Sequence, residues 1–144
     1  MIESLQNLIR LRKWELDEAR RVLAEMLEER DEMVRRIEAI DAEMADQSKN
    51  SELEVFATSL GAYMEGSRKQ QKIIYDQIVQ KDTVIEEQQD KVAESFRELK
   101  TYEIALEQQQ KKKAQKLAKF EQDMLDEQGL QRYFQKDDMF DSAQ

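Results

Sequence analysis

Four acidic side chains crowd one stretch of this 144-residue sequence, Glu28, Glu29, Asp31 and Glu32, and five lysines crowd another, Lys111, Lys112, Lys113, Lys116 and Lys119. Carboxylates grouped on a helix can hold paired metal ions when they face inward, but such centres complete their ligand set with Glu-x-x-His pairs. The sequence contains no histidine and no cysteine. The commonest general base, the commonest thiol nucleophile and the usual soft metal ligands are therefore missing. The inward positions beside the acidic cluster fall to Met26, Arg30 and Met33, so the cluster reads as a solvated face. The glycines are Gly61, Gly66 and Gly129, too sparse for a phosphate-cradling loop. The expectation is no catalytic residue, no metal ligand, no cofactor and no enzymatic activity.

What remains is a protein that works by contact, and the elements presenting its surfaces follow from periodicity. From Ile2 to Met44 a seven-residue repeat runs without a slip. Its first positions are Ile2, Ile9, Leu16, Leu23, Arg30, Ile37 and Met44, and its fourth positions are Leu5, Arg12, Ala19, Met26, Met33 and Ile40. No proline interrupts the chain. A sustained seven-residue repeat winds helices together, and proline is what would end them. A second stripe reads Met64, Gln71, Ile78, Ile85, Val92, Leu99 and Leu106 at first positions, with Lys81, Gln88, Ser95 and Gln109 among the fourth. This stripe is more polar, which costs stability but discriminates against wrong registers and oligomers.

The fold expected is all-α, two long helices forming an antiparallel coiled-coil hairpin with unequal arms over residues 1–135. Helix one should span about 2–45, the turn about 46–51 and helix two about 52–134. The turn is placed at Asp46, Gln47, Ser48, Lys49 and Asn50, followed by Ser51-Glu52-Leu53-Glu54, whose serine and glutamate suit a capping box. A connection this short folds the second helix back on the first. With the turn near residue 49, Ile2 would lie beside Phe96 and everything from the lysine band onward would overhang. A reversal at 58–67, through Gly61 and Gly66, is the alternative, because each glycine weakens a helix by about 1 kcal/mol relative to alanine. Residues 136–144 form an acidic, aperiodic tail expected to be disordered.

Composition supports the same class. Charged residues make up 38% of the chain, and turn punctuation is too rare for a sheet-rich fold. Net charge is −9, which disfavours nucleic acid as a partner. The sequence has no continuous apolar block of the kind found in secretory signals or membrane spans, so a cytoplasmic protein is expected. Charge is uneven along the chain. Residues 97–120 carry 7 basic and 3 acidic side chains, whereas 121–144 carry 2 and 7. The lysine band reads as a solvated face or as a site for an acidic protein surface, with RNA or a membrane surface the weaker alternatives. Trp14, Phe96 and Tyr102 likewise have two readings. They pack the seam between the helices, or they present an aromatic anchor to a partner, since large aromatics supply much of the energy of interfaces.

Two segments, Leu5 to Arg21 (LQNLIRLRKWELDEARR) and Phe96 to Ala105 (FRELKTYEIA), together resemble the FliJ family of flagellar type III export proteins. The resemblance covers the chain to about Phe134. It implies an antiparallel coiled coil similar to the stalk of rotary ATPases, which inserts into the hexameric export ATPase, connects it to the cytoplasmic domain of the export gate and handles export chaperones. It also implies a gate-contacting surface just after the turn, led by an aromatic residue. Here the matching stretch is Leu60, Gly61, Ala62, Tyr63 and Met64, with Tyr63 the aromatic and Met64 beside it. Ser67 and Gln70, which follow, are less apolar than that surface calls for.

The resemblance thus implies a monomer when free, cytoplasmic, reaching the inner face of the membrane only through its partners. Three other readings stand beside it: a self-associating structural scaffold, the equivalent stalk of an injectisome, and a coiled-coil chaperone for unfolded clients.

Overall fold

In this computed structural model the backbone is described for residues 1–50 and 54–142 and the side chains for residues 1–50 and 58–139. Two helices account for the described backbone, α1 (Ile2–Asn50) and α2 (Glu54–Ser142). Their lengths, 49 and 89 residues, make the arms unequal as the sequence predicts. Residues such as Glu, Lys, Leu, Arg and Gln lose little rotamer freedom in a helix, which favours long uninterrupted elements.

The chain divides into two units, Arg12–Glu98 and Met1–Leu11 with Leu99–Gln144. Within the first unit, contacts between the helices fix their direction. Arg12 meets Glu98, Gln88 meets Ala19, Arg30 meets Asp82 and Gln71 meets Ile37. Numbers fall along one helix as they rise along the other, so the helices are antiparallel. In the second unit Met1, Ile2, Glu3 and Gln6 face Gln109, Lys112, Lys113 and Lys116 across an open cleft.

The heptad frame read from the sequence is the frame that is buried. Ile9, Leu16 and Ile37 on α1 and Ile78, Ile85 and Leu99 on α2 form the apolar core, all at first positions. The polar seam residues are equally committed. Ser67, Gln71 and Gln88 are buried. The Gln71 amide donates to the Ile37 carbonyl oxygen at 3.1 Å and to Asp41 Oδ1 at 2.6 Å, and the Gln88 amide donates to the Ala19 carbonyl oxygen at 3.0 Å. A helical carbonyl has a second lone pair free for such a donor. Arg30 occupies a first position of α1 and is answered by Asp82 at 2.5 Å, while the neighbouring pair Glu29 and Lys81 also bridges the helices. Arg12 reaches Glu98 and Glu15, each at 2.9 Å.

Three boundaries differ from expectation. α1 continues through 46–50, because Gln47 and Lys49 are good helix formers, Asp46, Ser48 and Asn50 are tolerated, and nothing among them breaks the backbone. Residues 51–53, the remainder of the expected turn and most of the capping box, lie outside the described residues. The alternative reversal at 58–67 is excluded, since Gly61 and Gly66 are inside α2 and neither has a positive φ. α2 also continues through 136–142, where a disordered tail was expected, because neither Gly129 nor the acidic residues beyond it outweigh the cooperativity of an established helix. With the reversal later than residue 49, Ile2 lies near Gln109 and Lys112 rather than Phe96. The overhang therefore starts within the lysine band.

Two substitutions test this seam. Ile85→Ala should lower stability by about 2–4 kcal/mol in urea unfolding, the range for truncating a buried isoleucine. Gln71→Leu with Gln88→Leu should leave stability equal or higher, yet broaden the set of registers trapped by cross-linking between engineered cysteines, because apolar residues at these positions no longer distinguish one alignment from another.

Candidate functional site

The acidic cluster is built into the ion-pair pattern of the helix surface. Glu28 pairs with Arg35 at 3.1 Å, Glu32 with Arg36 at 3.7 Å and Glu29 with Lys81. All four carboxylates are exposed, and three hold cationic partners from the protein itself. Among the described residues no group of acidic side chains is placed to hold a metal ion.

The partner-binding candidates separate into buried and exposed sets. Tyr63, one position before the first-position residue Met64, is half-buried and turned into the seam. Its hydroxyl hydrogen-bonds Glu43 of α1 and Ser67 one turn along α2. Loss of water around the phenol and the Glu43 carboxylate that accepts its proton raise its pKa above the ordinary 10.0, while the Ser67 hydroxyl, donating to the phenol oxygen, pulls it down. Tyr63 thus ties α2 to α1 instead of standing clear as an outward aromatic. Met64 is half-buried and borders an open groove of about 500 Å³ with Gly61, Glu65, Arg68, Lys69 and Lys72.

Trp14 behaves oppositely. Two residues before buried Leu16, it lies about 200° around the helix from the seam, and it is 63% exposed. The seam-packing reading of Trp14 is therefore wrong, because the helix turns its side chain away from the partner helix. Phe96 is 43% exposed on the flank of the seam. Tyr102 sits on the seam stripe and is half-buried, which is its packing reading. The structure does not gather these aromatics into one patch: Trp14 faces out, Phe96 flanks and Tyr102 packs.

Other surfaces carry apolar groups that the heptad reading passed over. Ile73 is 59% exposed and lines an open groove of about 560 Å³ with Ile74, Gln70 and Gln77 of α2 and Arg36, Ala39 and Ile40 of α1. Tyr75 and Val79, one turn apart, form a second exposed apolar pair. The signal that could have found them is an apolar residue at a position outside the stripe, where a heptad puts charge.

The chain is 32% identical over 130 residues to the flagellar FliJ protein of Caulobacter vibrioides strain NA1000 / CB15N, an alignment covering 88% of this chain and 91% of that protein. The same identity and coverage relate it to the flagellar FliJ protein of strain ATCC 19089 / CIP 103742 / CB 15. The chain belongs to the FliJ family. No family model and no solved structure matches it. Membership of the FliJ family accords with the resemblance carried by Leu5 to Arg21 and Phe96 to Ala105.

Tyr63 supplies a direct test of the seam's electrostatics. Below pH 10.0 the phenol is protonated in both folded and unfolded chains, and the folded state's preference for that form is fully present. Stability should therefore hold through neutral pH and fall as pH rises through the elevated folded value. Thermal unfolding followed from pH 8 upward should show this alkaline loss reduced in Tyr63→Phe, and tyrosinate absorbance should show one late-titrating tyrosine that the variant lacks.

Proposed function

We propose that the chain is a nonenzymatic stalk and adaptor of the flagellar type III export apparatus. In this reading it binds the hexameric export ATPase and couples it to the cytoplasmic domain of the export gate and to export chaperones. Family membership over most of the chain carries the proposal, and the flagellar names of its relatives favour it over an injectisome role. The surfaces are of a kind that suits contact. The polar and apolar seam residues are used up holding the helices to each other, so outward side chains such as Trp14 and Ile73 are available for partners.

An adaptor of this kind acts by binding one state of its partner better than another, and needs no reactive group of its own. Its place is the cytoplasm, at the inner face of the membrane once assembled, held there through partners. Among the described residues no helix is long and apolar enough to cross a membrane. Nucleic acid is not a partner in this reading, in keeping with a net charge of −9.

Mixing the chain with the export ATPase of the same bacterium should promote ring assembly, seen by electron microscopy, and raise ATP hydrolysis. Trp14→Ala should weaken binding by about tenfold, the effect of losing an interfacial aromatic anchor, without lowering helix content. Absence of both ring assembly and stimulation with the unaltered chain would sink the proposal.

A further inference from the structure

The face of α2 that packs on α1 does not stop where α1 stops. Leu117, Phe120 and Met124 each lie eighteen residues beyond Leu99, Tyr102 and Leu106, about five helical turns, so they occupy the same side of α2. The first set is buried or half-buried. The second is 57%, 62% and 46% exposed, and every described side chain from 111 to 139 is exposed. α1 begins at Ile2, and Met1, Ile2, Glu3 and Gln6 face Gln109 to Lys116. Among the described residues the overhang thus presents an uncovered apolar stripe on the side that packs on α1 further back.

Its charge order says what fits. Lys111, Lys112, Lys113, Lys116 and Lys119 precede Phe120, and Glu121, Asp123, Asp126 and Glu127 follow it. A second copy laid parallel would set lysine against lysine and carboxylate against carboxylate. Laid antiparallel, with Leu117 opposite Met124 of the second copy and the two Phe120 rings adjacent, Lys113, Lys116 and Lys119 face the turns bearing Glu127, Asp126 and Glu121. The arrangement is satisfied twice, as a twofold-symmetric contact must be.

We propose that the overhang is a self-complementary docking surface on which two copies of the chain pair antiparallel about Phe120. The stretch clear of α1 on both copies runs from about 117 to 124, roughly two turns on each, because Met1 to Gln6 already face Gln109 to Lys116. A contact of that extent lies below the size of stable interfaces, so the pairing is reversible and salt-sensitive. It departs from the expectation of a monomeric free chain. It is independent of the export reading, because it needs no other protein.

Sedimentation of the full chain at low salt should show mass rising towards two copies at concentrations on the order of 100 µM. Phe120→Ser or added salt should return it to one copy. Two charge-reversed chains test the charge pairing: one carrying Lys113→Glu, Lys116→Glu and Lys119→Glu, the other Glu121→Lys, Asp126→Lys and Glu127→Lys. Each alone should stay single, and their mixture should associate about tenfold more tightly than the unaltered chain. Circular dichroism checks that the variants keep their helix. Single copies throughout, in the mixture as well, would overturn the proposal and leave the face to a partner of different sequence. Association indifferent to Phe120→Ser and to salt would also overturn it, by placing the contact elsewhere.

Discussion

Gln71 reaches from α2 to α1 with its amide nitrogen 3.1 Å from the Ile37 carbonyl oxygen and 2.6 Å from Asp41 Oδ1. A buried amide left without partners would cost the desolvation of its donors, so this position tolerates few alignments of the two helices. The backbone acceptor alone is not selective, because every residue of α1 offers a carbonyl. Selectivity comes from Asp41 and from the charged pairs Arg30 with Asp82, Lys81 with Glu29 and Arg12 with Glu98, which meet only in one register. The apolar residues Leu16, Ile37, Ile78 and Ile85 supply the drive to pair, and the polar residues choose how.

That division of labour determines which surfaces remain. One chain supplies both stripes within Arg12–Glu98, so seam residues are spent inside the molecule. Outward groups such as Trp14, and the groove between Ile40 and Ile73, owe nothing to the pairing and can be given to partners. Tyr63 belongs to the seam despite its place in the stretch that resembles a gate-contacting surface. Its bonds to Glu43 and Ser67 make it part of the grip between the helices. A stalk and adaptor, the role proposed for this chain, would use outward surfaces of this kind.

The difference in helix length has a physical consequence of its own. A single helix exposed on all sides is marginal in water and normally draws its stability from a packed face. Beyond Lys116 the packed face of α2 continues in kind, with Leu117, Phe120 and Met124, but these side chains are exposed among the described residues. Local pairs such as Gln122 with Asp126 at 3.1 Å help the helix form without covering that face. The abrupt change from basic to acidic side chains at Phe120 gives this segment a direction that the uniformly mixed surface of α1 lacks.

The sequence by itself determined the helical class, the antiparallel pair with unequal arms, and which residues would be inside, because a seven-residue repeat without proline admits one economical burial pattern. Leu16 and Ile85 were legible as core, and Gln71 and Gln88 as polar seam positions, from spacing alone. It did not determine where α1 ends or what lies opposite Ile2. Residues 46–50 mix good helix formers, Gln47 and Lys49, with residues that also suit caps and turns, and register depends on the sum of contacts between residues far apart in the chain. Only the tertiary structure decided that Ile2 lies near Gln109, that Tyr63 turns inward to Glu43 and that the lysine band straddles the end of the paired region. These are properties of one helix seen from the other, and no periodicity within a single helix encodes them.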